Sequence, residues 1–509
     1  MKRPLSLLLC LSLLLCLFSG CDLPEDPYTP TGDGLSPQET QTKPIGNGEE
    51  LENTPKKTAL VYNPADSMNP LKATSYTNRA LFSLMYQGLF TVSRDYTVSP
   101  MLCKTFNISA DRKTYTFYLA DATFSDGTPV TAADVVASLK ASKDSPWYGS
   151  RLQHVTSIGS YADAIVLELD TAMSKENLTI LLDIPILKEA EVDSANPLGS
   201  GPYQLVGSQL RRQAGWWCNT KLPVEADSIP LVEGESAAQI RDAFEFDHVS
   251  LACTDEYVDF HSDYELWDCE NGLFLYLVCN TESDVFSNNS IRRALTHAID
   301  RNLLVSEYYR DFAYSATLPA SPLSPYYTES LANDYDYSPQ KFTDALTEAQ
   351  CTGGELTLLL NADDALRVKV GKAICDMLAP YGFTVTIVEA TGKTFPSLLK
   401  KGDYDLYLAQ TRLSANMDLS AFFGTKTALN YGGLSDPATY TICLEALADP
   451  DNFYTLHEMV MNNGQLCPLL FQSCSVYTQR GVFTDFLPAR DNLFYYNLGL
   501  SLDDALMSE

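Results

Sequence analysis

Catalytic and metal-binding chemistry needs particular side chains at particular spacings, and this chain holds few such patterns. Its histidines are His154, His248, His261, His297 and His457, and no two are paired by spacing. His457-Glu458 lacks the second histidine that a zinc-protease helix places one turn on. Neither the GxSxG elbow of a serine hydrolase nor the GxxxxGK phosphate loop occurs. His297 falls inside an amphipathic stretch and reads as a partly buried helix residue. Carboxylates are plentiful, 65 Asp and Glu against 35 Lys and Arg, so any single acidic pair reads as a solvated face. These patterns assign no catalytic residue, no metal ligand and no cofactor.

The 13 cysteines divide by position. Cys10 and Cys16 lie in an apolar N-terminal run, and Cys21 follows it. The remaining ones are scattered from Cys103 to Cys474 with no CxxC and no His/Cys ligand spacing, which argues against zinc. Cys279 and Cys375 read as small buried hydrophobes, and mostly free thiols are expected. Cys467 and Cys474 are close enough in sequence to close a small loop as a disulfide.

Cys21 carries the most specific chemistry. Lys2 and Arg3 form a basic start, Pro4 to Phe18 is uncharged, and Phe18-Ser19-Gly20 leads into the cysteine. The run is shorter than the roughly 20 residues a spanning helix needs and has the layout of a secretory signal. Residues 1–20 resemble a bacterial lipoprotein signal, which implies that Cys21 becomes the lipid-modified first residue. Residues 21–57 are rich in Pro, Gly, Thr and Glu with almost no large aliphatics, so they cannot bury a core. They read as a flexible spacer between a membrane and a folded body.

The stretch from 58 to 509 is too long for a single core and implies two or three lobes. A formal net charge of −30 argues against nucleic acid, which requires clustered Lys and Arg. Thr114–Leu119 and Ala164–Leu169 read as strands. Ser125–Pro129 is a turn running into Thr131, with Asp134 three positions on as a capping box, and a helix to about Ser142. Ile291, Ala294, Leu295, Ala298, Ile299 and Leu303 share one helical face. Gly272–Cys279 is apolar on both faces, as a central covered strand would be. Glu355–Leu360, Asp363–Leu378 and Phe383–Ile387 read as strand, helix and strand. A helix at Phe395–Lys401 and a strand at Asp405–Ala409 continue the alternation. The expected class is α/β with mixed, mainly parallel sheets.

Five segments resemble one family, the extracytoplasmic solute-binding proteins of ABC importers that handle oligopeptides, dipeptides and nickel. Ala80–Phe90 is similar to its early "iyegLf" helix and turn. Thr114–Lys140, with FSDGTPVTAADVVASLK, is close to "fsDGtpvtAeDVvfSl". Gly199-Ser-Gly-Pro-Tyr203 matches "GtGPY". Leu275–Val305 matches the "fNt…RqAl.yAiDr" stretch, with Asn280, Arg292, Ala294, Ala298, Asp300 and Arg301 in place. Tyr404-Asp405-Leu406 sits at "yDl". The resemblance implies a type II periplasmic-binding fold: two major lobes with an additional inserted lobe. Lobe I would be 58–90, 197–279 and 469–509, the inserted lobe II 91–196, and lobe III 280–468.

The resemblance also implies a non-enzymatic function and its partners. A peptide or other small polar solute would be held by hinge closure and delivered to ABC permease and ATPase subunits by a lipid-anchored monomer outside the cytoplasm. The competing readings are a lipid-anchored surface hydrolase and a peptide or pheromone sensor uncoupled from transport. Peptide-binding relatives carry an aspartate that pairs with the ligand's amino terminus in a "DYxDP"-like segment after "yDl". Matching Phe422-Phe423 to the family's apolar pair puts Ala415 at that aspartate and Asp418 at the second one. Arg412, Asn416 and Asp418 are therefore candidate ligand contacts, joined by Tyr431 and Tyr86 because tyrosines supply contact area with little entropy loss. Cys21→Ser should move the protein from the membrane fraction into the medium; retention as firm as wild type would contradict lipid attachment.

Overall fold

The computed structural model describes residues 59–480 except 223, 225, 247 and 254–263, together with 488–491 and 493. The signal segment, Cys21 and the spacer lie outside the described residues. In chain order the strands are β1 (Leu60–Tyr62), the hairpin β2 (Phe90–Val92) and β3 (Val98–Pro100), then β4 (Cys103–Ile108), β5 (Thr114–Leu119), β6 (Val155–Tyr161) and β7 (Ala164–Leu169). Next come β8 (Tyr203–Leu205), β9 (Gln209–Arg212), β10 (Ser228–Glu233), β11 (Leu251–Cys253) and the long β12 (Tyr264–Cys279). β13 (Ala313–Ser315), β14 (Gly354–Asn361), β15 (Phe383–Ala390), β16 (Leu406–Arg412) and β17 (Leu466–Gln479) follow. β4, β5, β7 and β6 form a separate antiparallel sheet, and the main sheet runs β15-β14-β16-β12-β17-β11-β1-β10-β9-β8.

The main sheet is mixed, and the expectation of mainly parallel pairing is corrected. Parallel pairs occur at β14 with β15 and β16, and at β1 with β10 and β11. The middle is antiparallel, because β12 pairs with both β16 and β17, and β17 with β11. Strand–helix–strand units predict only the wing of β14, β15 and β16; the centre is built from segments remote in sequence, and the far edge, β10-β9-β8, is antiparallel.

β12 shows why its apolar run is continuous. Phe274, Tyr276 and Val278 enter one buried cluster, while Leu275, Leu277 and Cys279 enter a second on the opposite face. Alternate side chains of one strand point to opposite faces, so a strand covered on both sides is apolar throughout. The capping box forms as expected: the Thr131 side chain accepts from the Asp134 N–H, and Asp134 accepts from the Thr131 N–H. The helix between β14 and β15 is Ala365–Leu378, with Asp364 as its N-cap. Cys467 and Cys474 lie on the same strand, β17. Seven residues of extended chain separate them by roughly 23 Å, so no disulfide joins them.

The single helix expected over 291–303 is broken. Asn289–Leu295 is helical, Ile299 is extended, and Asp300 caps a new helical segment by accepting from the Leu303 N–H. The cause is Arg301, which is buried and donates to the carbonyl oxygens of Ala316, Pro468, Thr296 and Ile299. Those acceptors need the guanidinium turned inward, which a straight helix does not allow. Arg301→Ala should leave several buried carbonyls unpaired and lower unfolding stability by about 3–5 kcal/mol in a urea melt. A loss below about 1 kcal/mol would show that this cluster is dispensable.

Candidate functional site

Arg412 is the last residue of β16 and is positioned by an irregularity in β12. Leu273 pairs with Arg412, but the β12–β17 register shifts between Glu270 and Phe274, and Gly272 takes φ +76° there. A left-handed residue is most easily a glycine, and a shift of this kind twists a strand and re-aims its neighbours. The Asn271 carbonyl, freed from the ladder, accepts from Arg412 Nη1, and Arg412 Nη2 lies 3.4 Å from the Tyr76 hydroxyl. The guanidinium carbon sits 4.2 Å from the Trp147 ring centroid, with that of Arg79 at 3.7 Å from the same ring. Trp147 is itself fixed by donating to the Ala73 carbonyl at 2.8 Å.

Arg412, Asn271, Tyr76 and Trp147 line an open cavity of about 2240 Å³ together with Tyr308, Tyr309, Arg310, Asp363 and Gln472. Among the described residues, no carboxylate forms an ion pair with Arg412 (its two hydrogen-bond acceptors are neutral). Burial, followed by repulsion from Arg490 and Arg79, lowers its pKa below the ordinary arginine value. A largely desolvated cation without a counter-charge is costly, and an anion joining it relieves that cost.

The neighbouring arginines are already neutralised. Arg79 pairs with Asp491 at 2.7 Å, and Arg151 pairs with both Asp183 and Asp491. Burial pushes the Asp491 carboxyl up, but Arg151, Arg79 and Arg490 together hold it well below the usual range. A smaller chamber of about 390 Å³ beside this network is walled by Ala415, Glu270, Asp183, Arg490 and Tyr96. Glu270 accepts the Tyr96 hydroxyl on Oε2, while its buried Oε1 has no partner. The side of this chamber occupied by Ala415 thus faces a carboxylate supplied by β12.

Asp418 stands elsewhere. Its carboxylate accepts from Gln153, from the Ser420 N–H at 2.8 Å and from His154 Nε2 at 3.0 Å. His154 Nδ1 meets Asp170 at 2.9 Å. Burial opposes the charged imidazole, but Asp418 and then Asp170 raise its pKa to about 9. Asn416 is buried, its side-chain oxygen accepting from the Ser414 hydroxyl at 2.7 Å. Tyr86 spends its hydroxyl on the carbonyls of Met68 and Pro197, and its ring lines a cavity with Arg79, Asp183 and Asp491. Tyr431 is half-buried against the main core. Asn416, Asp418, Tyr431 and Tyr86 do not line the cavity of Arg412.

Sequence reasoning did not nominate Trp147, Tyr76, Glu270 or His154. The contact from His154 to Asp418 spans 264 positions, and no local pattern reports it. Glu270 was legible only as a charged residue next to an otherwise apolar strand. Among the described residues no group of three or more His, Cys, Asp or Glu side chains is placed to hold a metal, and no helix is long and apolar enough to cross a membrane.

This topology, a mixed central sheet crossed by two long strands with a separate antiparallel sheet, is that of type II periplasmic binding proteins. Residues 97–430 match the profile described as bacterial extracellular solute-binding proteins, family 5 middle region, and the chain belongs to that family. Among curated relatives, a glutathione-binding protein GsiB of Escherichia coli (strain K12) is 25% identical over 321 residues, covering 58% of this chain and 61% of its own length. The chain therefore aligns with about three fifths of the curated relatives it matches. Among solved structures, a nickel ABC transporter protein from Bacillus halodurans aligns with TM-score 0.71 at 20% identity, over 86% of this chain and 98% of its own. The oligopeptide-binding protein AppA from Bacillus subtilis, in complex with a nonapeptide, gives TM-score 0.58 at 18% identity, over 88% and 100%. The relatives named here are binding proteins or transporter components, in keeping with a non-enzymatic family.

The His154 pair has a pH signature. Its folded pKa of about 9 lies above the usual 6.5, so its contribution is complete below pH 6.5 and disappears as pH rises through 9. Its size is roughly 3 kcal/mol. His154→Gln should remove that part of the decline in stability between pH 6 and pH 9.5. An unchanged slope would mean that the imidazole is not charged in the fold.

Proposed function

We propose that this protein is a membrane-tethered extracytoplasmic receptor that binds a peptide or a similar small polar solute and hands it to an ABC permease. Family membership supports the receptor class, and relatives named for glutathione and for a nonapeptide supply the peptide class. The observation that carries the ligand chemistry is Arg412, a half-buried guanidinium that lines an open cavity against an aromatic ring and has no carboxylate partner among the described residues. A ligand carboxylate would complete it through charge-assisted, bidentate hydrogen bonds. Glu270, with one unpaired oxygen in the chamber that Ala415 also lines, is the carboxylate best placed to meet a ligand ammonium in place of the aspartate that Ala415 replaces. Asp418 already has His154, Gln153 and Ser420, so its role is to join their segments.

In this reading the protein acts as a monomer, anchored through Cys21, and its expected lobes rock about the register shift in β12. Mass spectrometry of molecules released on denaturing the purified protein should show a peptide-like compound. A panel of di- to hexapeptides, nickel chelates and sugars should contain one that stabilises the protein by about 2.7 kcal/mol at a hundredfold excess over its dissociation constant. A panel that moves nothing, with no released compound, would overturn the peptide assignment.

A further inference from the structure

Three thiols meet in the centre of the main sheet. Cys269 of β12 and Cys474 of β17 are direct cross-strand partners, and Cys253 ends the adjoining β11. Cross-strand neighbours place their Cβ atoms about 4.5–5.5 Å apart, close to the separation that a disulfide bridges. Cys474 Sγ lies 3.5 Å from the Cys269 carbonyl oxygen, and its sulfur is within hydrogen-bonding reach of both Cys269 and Cys253. Cys269 and Cys474 are free thiols in this structure.

Position separates these thiols from the other buried cysteines. Cys474 lines the same open cavity as Arg412 and is 7% exposed, whereas Cys269 and Cys253 do not line it and are each 2% exposed. The pair also sits beside the irregular stretch of β12, since the regular register ends at Glu270 opposite Ser473. Sharing a hydrogen bond with Cys474 pushes Cys269 up, and the thiols of Cys253 and Cys269 push Cys474 down toward the thiolate that attacks disulfides. An extracellular family works where disulfides persist.

We propose that Cys474 and Cys269 form a reversible disulfide that staples β12 to β17 beside the register shift, made by exchange with a low-molecular-weight disulfide. The Cys474 thiolate attacks one sulfur of the small disulfide, forming a mixed disulfide and expelling one small thiolate. The Cys269 thiolate then attacks Cys474 Sγ and expels the second. Two protein thiols lose two protons and two electrons, and the small disulfide is reduced to two thiols. The bond would restrain the crossing that any movement about the shift must flex. It does not depend on which solute the cavity binds.

Purified full-length protein incubated with oxidised glutathione, quenched with N-ethylmaleimide under denaturing conditions and digested should yield a fragment linking Cys269 to Cys474, with two fewer alkylated cysteines than in unoxidised protein treated alike. Dithiothreitol should restore two alkylatable thiols. Cys253→Ser should retain the link, and Cys474→Ser should abolish it while leaving Cys269 alkylatable. The assignment is overturned if both cysteines stay fully alkylated after oxidant, or if Cys474 is found mainly linked to Cys253. Because the readout is a linkage map of the folded wild type, a poorly folding variant would not decide the outcome.

Discussion

The register shift in β12 at residues 271–273 is the constraint on which the proposed site depends. On one side of it β12 pairs with β17 from Tyr264 to Glu270, and on the other with β16 from Leu273 and with β17 from Phe274 onward. In a fully regular ladder the Asn271 carbonyl would be a sheet acceptor. Freed, it is available to a side chain, and Arg412 at the end of β16 takes it. The same departure brings Gly272 under Arg490, so close that a Cβ at 272 would overlap the guanidinium. A local backbone irregularity thus positions two arginines, Arg412 and Arg490.

Electrostatic balance then separates scaffold from site. Arg79, Arg151, Asp183 and Asp491 form a closed set of opposite charges with side chains nearly sealed from solvent. Such pairs stabilise little relative to apolar packing, but removing one member strands the others, so they fix geometry. Arg412 lies outside this set and is held by neutral acceptors and an aromatic face. In the proposed function, this guanidinium, left without a carboxylate among the described residues of a chain with formal charge −30, is the group that receives an anion.

Much of the scaffold was legible because its causes are local. The Thr131–Asp134 capping box, the paired faces of β12 and the helix capped by Asp364 follow from residues a few positions apart. The parallel wing of β14, β15 and β16 was readable as strand–helix–strand units, whereas the parallel pairing of β1 with β10 and β11 was not. The antiparallel centre was not, since β12 and β17 are some two hundred residues apart in sequence. The break after Ala298 was hidden for the same reason: Arg301 bends the chain toward Ala316 and Pro468, neither of which a helical pattern reveals. Arg412 could be named from its place after a family-like strand. The Tyr76 and Trp147 that frame it required the fold.

The most direct measurement is a calorimetric titration of wild-type and Arg412→Gln protein with a peptide that binds, in free-acid and C-terminally amidated forms. The wild type should bind the free acid at least about tenfold more tightly than the amide, because a charge-assisted pair in a buried setting is worth more than 1.4 kcal/mol. Arg412→Gln should bind the two forms alike, near the affinity of wild type for the amide. Equal affinity of the wild type for both forms, or a preference that survives Arg412→Gln, would contradict the assignment of this cavity to an anionic ligand group.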